Sequence, residues 1–152
     1  MHQLDIAVDF DGTVVTEEYP RIGKGIGATP VLRRLSELGH NIILLTMREN
    51  FKETVVLDEP YGTQEPGNYL SAAIGWFKVR GIPLFSVNCN PNAVHARKVW
   101  AHIYIDDRAA GAPLSRRMPN ERRHIDWLKM TEILKDIGAL DPNFFYDKLV
   151  ED

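Results

Sequence analysis

Leu4-Asp5-Ile6-Ala7-Val8-Asp9-Phe10-Asp11-Gly12-Thr13 is the stretch whose reading decides the fold. The apolar run Leu4–Val8 reads as a buried first strand, and two carboxylates spaced i, i+2 follow where that strand ends and a glycine turn begins. Side chains of consecutive strand residues alternate sides, so Asp9 and Asp11 are expected to share one side if the extended geometry continues that far. In open α/β sheets the carboxyl edge of the strands is where ligands bind. Two acids held close repel unless a cation or a proton lies between them, so the pattern asks for a metal ion or for carboxylates with divided labour. An ordinary Asp-Gly turn is the competing explanation, and the rest of the chain decides between the two.

Working outward, Thr29-Pro30 reads as a helix start with Thr29 as N-cap, and Val31, Leu32, Leu35 and Leu38 recur at helical spacing before Gly39. Asn41–Leu45 is a short apolar run expected to be a second buried strand ending at Thr46-Met47-Arg48. A second helix is expected from near Asn68 to Gly81, a third strand over Pro83–Val87, and a fourth over Ile103–Ile105, running into Asp106-Asp107. Ile125, Leu128, Met130, Ile133, Leu134 and Ile137 suggest a last helix closed by Gly138. Alternating strands and helices favour a parallel sheet with right-handed crossovers. In such a sheet Asp9, Thr46, Asn88 and Asp106 meet along one edge although they are distant in sequence. The polar interval 50–68, with Pro60, Gly62, Pro66 and Gly67, reads as a long loop or lid.

Composition bounds the rest. A chain of 152 residues with 44% hydrophobic and 26% charged residues reads as one globular domain over 1–152. A formal net charge of −3 gives no specific nucleic-acid or anionic-membrane signal. Arg116, Arg117, Arg122 and Arg123 form a basic cluster read as a solvated loop. The single cysteine, Cys89, cannot form an intrachain disulfide. No signal peptide and no membrane-spanning run is visible, so a cytoplasmic protein is expected. The five histidines show no paired zinc-ligand spacing.

Four separated motifs in order, Asp9-x-Asp11-Gly12-Thr13, Thr46 after Ile42–Leu45, a lysine placed best at Lys98 with Lys78 as the other choice, and Asp106-Asp107 after Ile103–Ile105, give the chain its resemblance to the haloacid-dehalogenase-like (HAD) phosphatases. The resemblance implies a three-layer Rossmann-like parallel sheet flanked by helices, here without a separate cap domain because neither the 14–28 gap nor the 48–98 interval has room for one. It implies a Mg²⁺-dependent phosphohydrolase acting on a phosphorylated substrate, small or macromolecular, with a homo-oligomer open as an assembly. Asp9 is then the nucleophile, forming an aspartyl-phosphate, and Asp11 the general acid/base. Thr46 donates to a phosphoryl oxygen and Lys98 neutralises developing charge. The implied metal ligands are Asp9, the backbone carbonyl of Asp11, and Asp106, with Asp107 in support or exchanging roles with Asp106. Thr13, Arg48 and Asn88 are supporting or substrate-contacting candidates, and Arg48 and Arg108 favour ion pairing over phosphate contact. The alternative is a Mg²⁺/phosphate-binding or phospho-acceptor regulatory module without turnover.

Overall fold

Residues 2–60 and 62–147 are described by a computed structural model of the protein. In chain order the elements are β1 (Asp5–Val8), α1 (Ala28–Glu37), β2 (Asn41–Leu44), β3 (Asn50–Phe51), β4 (Val55–Val56), β5 (Thr63–Gln64), β6 (Gly67–Asn68), α2 (Tyr69–Val79), β7 (Ser86–Val87), β8 (Ile103–Ile105), β9 (Leu114–Ser115), β10 (His124–Ile125) and α3 (Trp127–Asp136). The apolar runs that read as strands pair in parallel in the order β7-β2-β1-β8, so the chain is an α/β protein with a four-stranded parallel sheet flanked by helices.

Register aligns the strand ends. Val8 lies beside both Leu44 and Ile105, and Leu44 beside Val87. The ladder runs one residue further, since Asp9 N–H donates to Ile105 O (3.0 Å) and Leu45 N–H to Val8 O (2.9 Å). Asp9, Leu45, Asn88 and Asp106 therefore emerge in one row at the carboxyl edge. The pleat divides the core by face. Ile6, Val8, Ile42 and Leu44 join the main cluster with the buried faces of α1, α2 and α3, whereas Ala7 and Ile43 pack with Ala101 in a small second cluster. On that second face Asp5 is buried and accepts from Asn41 Nδ2 (2.8 Å) and Asn90 Nδ2 (3.0 Å). Burial raises the Asp5 pKa, but the asparagine donors outweigh it and hold the carboxyl below its usual range. Asn90 thus ties the exit of β7 to the first strand.

Several expectations change. Gly27, in the left-handed region at φ 95°, caps α1, so Thr29 and Pro30 fall inside its first turn. The proline is tolerated there because the first helical N–H groups have no intrahelical acceptor. Ile125 belongs to β10, and α3 starts after Asp126, whose carboxylate accepts from Lys129 N–H (3.1 Å). The third strand is shorter than expected, Ser86–Val87. The interval 50–68 is no open loop. β3 pairs antiparallel with β6, and β4 with β5, making a two-rung β-ribbon that leaves the sheet after Arg48 and returns into α2. Alternation of Thr54-Val55-Val56 against Thr63-Gln64 is too short a period-2 signal to stand out in a polar segment. Among the described residues, no helix is long and apolar enough to cross a membrane.

Candidate functional site

The turn after β1 builds the site. Thr13 N–H and Val14 N–H both donate to Phe10 O (3.1 and 3.0 Å), and Gly12 N–H to Val15 O (2.8 Å). Gly12 sits at φ +79°, and a Cβ placed there would lie 2.3 Å from Asp107 Oδ2. Only glycine permits both the left-handed turn and the approach of that carboxylate. The turn is clamped from behind: Ile125 N–H donates to Gly12 O (3.0 Å) and Trp127 Nε1–H to Thr13 O (2.8 Å).

Because the chain turns at Phe10, the strand alternation stops and Asp9 and Asp11 take different partners. Asp9 joins Asp106 and Asp107, with one carboxylate oxygen from each within 4.8 Å of the others. Buried Thr13 holds the group together. Its hydroxyl donates to Asp9 Oδ2 (2.9 Å) and accepts from Asp107 N–H (3.1 Å). Asp106 Oδ1 accepts from Arg108 N–H (2.8 Å). Burial, and then the neighbouring Asp106, push the Asp9 carboxyl from 3.8 up to about 8. Burial also raises Asp107, with Asp106 adding to the rise. Three converging carboxylates offer only hard oxygen donors, and repel one another when ionised, a donor set that fits a small divalent cation such as Mg²⁺.

Asp11 is held by Arg48. The guanidinium donates through Nη2 to Asp11 Oδ1 (2.6 Å) and through Nε to Asp11 Oδ2 (2.7 Å), and it also reaches Arg21 O (2.8 Å) and Pro20 O (3.2 Å). Its side chain is 1% exposed and lies between the rings of Phe10 and Tyr19, each centroid 5.1 Å from Cζ. Of the two expectations for Arg48, ion pairing holds, but in the interior. Neighbouring Met47 points outward at 81% exposure. Thr46 and Asn88 shape the next turn. Thr46 N–H donates to Asn88 Oδ1 (2.8 Å), and Arg48 N–H to Thr46 Oγ1 (3.1 Å), which leaves the Thr46 hydroxyl proton to be donated elsewhere. Asn88 adopts φ 54°, a conformation that asparagine tolerates better than most residues.

A cavity of about 740 Å³ brings Asp9, Asp11, Thr46, Arg48 and Asp106 together. Thr13, Asp107 and Asn88 support it from outside its lining. Lys98 does not reach it: exposed, its Nζ lies 4.5 Å from the centroid of Tyr104. Lys78, exposed in the last turn of α2, does not line it either. Residues 88–102 run irregularly, and the lysine ends up away from the cavity. Arg108 is the exposed cation at the cavity. Sequence reasoning missed Glu17 and Tyr19, which line the cavity from the glycine-rich connection, and Phe51, Leu57 and Gln64, which line it from the ribbon. Burial, then proximity to Asp11, raises the Glu17 carboxyl. The Tyr19 hydroxyl donates to Gln64 Oε1, and its ring lies 5.6 Å from that of Tyr69. These contacts latch the ribbon over the site. Nothing local in the sequence marks them, because they depend on two unpatterned segments meeting.

A solved structure of a conserved protein from Bacteroides thetaiotaomicron is similar to this chain, at 31% identity and a TM-score of 0.64, over 90% of this chain and 93% of that one. No protein-family model and no curated protein matches the chain.

Proposed function

The chain belongs to the same family as this conserved Bacteroides thetaiotaomicron protein, and we propose that it is a Mg²⁺-dependent phosphohydrolase of the HAD-like type. The observation that carries the reading is the convergence of Asp9 with Asp106 and Asp107 at the carboxyl ends of adjacent parallel strands. Thr46 and Asp11 on the same cavity add the other polar groups such chemistry requires. The strand order β7-β2-β1-β8, with every acid at one edge, agrees with a three-layer Rossmann-like arrangement in which the ribbon takes the place of a cap domain.

In this reading Asp9 Oδ attacks phosphorus in line, the bond from phosphorus to the ester oxygen breaks, and an aspartyl-phosphate forms on Asp9. Asp11 gives a proton to the departing alkoxide and takes one from the water that hydrolyses the intermediate. Each Asp11 oxygen accepts one Arg48 donor, which fixes the carboxylate while leaving a lone pair on each oxygen for the proton. Arg48 is thereby a positioning residue. Thr46 donates its free hydroxyl proton to a phosphoryl oxygen. Arg108 takes the charge-neutralising role that the sequence assigned to Lys98. Mg²⁺, when bound, neutralises the acids and orients the phosphoryl group. Asp9 and Asp106, which line the cavity, would hold the ion directly, with Asp107, tucked against Gly12 and Thr13, in support. The chemistry needs Asp9 deprotonated, and a bound cation would oppose the burial and the neighbouring acids that keep that group protonated without it.

Two observations favour a second reading, a phospho-acceptor or phosphate-binding module. Asp11 is gripped on both oxygens, and no lysine lines the cavity among the described residues. A phosphate-release screen over phosphate monoesters, with Mg²⁺ and with EDTA, beside Asp9→Asn, separates the two. The enzyme releases phosphate catalytically only with Mg²⁺ and an intact Asp9. A module incubated with acetyl phosphate accumulates a long-lived acyl-phosphate and turns nothing over.

A further inference from the structure

A second cavity, of about 670 Å³, shares no lining residue with the acidic one. It opens where α1 and α3 begin, against the β9–β10 hairpin, and the caps of both helices, Gly27 and Asp126, line it. Two ten-residue helices therefore turn the positive ends of their backbone dipoles toward this space. Among the described residues Asp126 contributes the one carboxylate of the lining, and it is engaged by Lys129 N–H at the start of α3.

Lys24, Arg116 and Arg117 add three cations in a chain whose formal net charge is −3. Arg117 Nη2 donates to Gly25 O (2.7 Å) and Arg116 Nη1 to Pro119 O (2.8 Å), which fixes both guanidinium groups while leaving further N–H donors on each. The independent observation is His124. The ring lines the cavity and is 5% exposed. Its Nδ1 lies 3.0 Å from Ile125 O, and a carbonyl only accepts, so Nδ1 carries the proton. Nε2 is buried and has no hydrogen-bond partner. In the neutral ring such an atom is an acceptor awaiting a donor, and a buried unpaired acceptor is costly.

We propose that this cavity binds a tetrahedral oxyanion that keeps one hydroxyl, hydrogen phosphate being the simplest case. The cations and helix termini hold its anionic oxygens, and its O–H donates to His124 Nε2. Sulfate has the same shape and charge but no proton to donate. A phosphate ester dianion lacks that proton as well. The inference does not depend on the chemistry proposed for Asp9.

The test uses the full chain carrying Asp9→Asn, in EDTA at pH 8, so that the acidic cavity contributes no cation-dependent phosphate binding. The His124 ring resonance, assigned with His124→Gln, is followed during titration with inorganic phosphate, sulfate and methyl phosphate. The expected result is a saturable shift with phosphate and binding about tenfold or more weaker for the other two anions. Lys24→Gln/Arg116→Gln weakens phosphate about tenfold or more. In His124→Gln, followed by Trp127 fluorescence, the preference for phosphate over sulfate disappears. No saturable shift with phosphate, equal affinity for sulfate, or unchanged affinity in the Lys24/Arg116 variant overturns the proposal. The anion comparison needs no substitution in the cavity, so it stands even if those variants fold poorly.

Discussion

Replacing Asp9 with asparagine should stabilise the protein in EDTA while abolishing its activity. Burial and the neighbouring acids raise the Asp9 carboxyl from 3.8 to about 8. A carboxyl that binds its proton more tightly folded than unfolded costs stability as pH rises; the loss begins near its ordinary value and is complete above the folded one. Across that interval, at about 1.4 kcal/mol for each tenfold change in proton affinity, the upper bound is roughly 6 kcal/mol. Local relaxation and sharing of the repulsion with Asp106 and Asp107 reduce this to about 2 kcal/mol at pH 7.5. For a chain of this length, that is a rise in Tm of roughly 4–8 °C for Asp9→Asn in EDTA. At pH 4.5 the difference should shrink to about 1 kcal/mol, since Asp9 is then protonated in the folded state and the pH lies only slightly above its ordinary value in the unfolded chain. Mg²⁺ at a hundredfold excess over its Kd should add about 2.7 kcal/mol to the wild type and much less to the variant, closing or reversing the gap. Differential scanning calorimetry at the two pH values, with EDTA and with Mg²⁺, measures all four states. Equal or lower stability of Asp9→Asn in EDTA at pH 7.5 would refute the reasoning.

Three further outcomes follow from named contacts. Arg48→Ala leaves Asp11 without its bidentate partner in the interior and should cost about 3–5 kcal/mol in urea unfolding, with Arg48→Lys intermediate because a lysine cannot reproduce the fork. Gly12→Ala drives a Cβ into Asp107 Oδ2 at a left-handed φ, so it should destabilise the fold by roughly 1–3 kcal/mol and weaken Mg²⁺ binding in calorimetric titration. Lys98→Ala should leave the rate of phosphate release unchanged, whereas Arg108→Ala should lower kcat/KM by about tenfold or more, as loss of one charge-assisted contact predicts.

The sheet was legible because its strands are short, mostly apolar runs that end in polar residues, a signal carried by each segment alone. Parallel topology then placed Asp9, Asn88 and Asp106 in one row without any knowledge of contacts. What escaped was everything set by a break in periodicity. Alternation placed Asp9 and Asp11 on one side, and both line the cavity, but the turn at Phe10 gives them different partners and a buried arginine two residues past Thr46 takes the second acid. Local pattern treats an arginine as a surface residue; only the meeting of the 14–28 connection, Phe10 and α2 buries this one. Lys98 was misplaced for the opposite reason. Its assignment rested on the order of motifs alone, and residues 88–102 spend their polar side chains on loop contacts such as that between Asn90 and Asp5. The ribbon over 50–68 was read as a loop because two-residue strands carry almost no pattern, although its Phe51 and Leu57 supply much of the apolar wall of the cavity.

The central claim is that Asp9 takes up a phosphoryl group, and direct detection of that adduct tests it best. Protein mixed with a turned-over phosphate monoester and Mg²⁺, quenched in acid within the first turnover and digested, should yield the peptide containing Asp9 with the mass of one added phosphoryl group. The adduct should be absent in EDTA and in Asp9→Asn. Phosphate release at full rate with no phosphoryl group on that peptide, or with the group on another residue, would contradict the account.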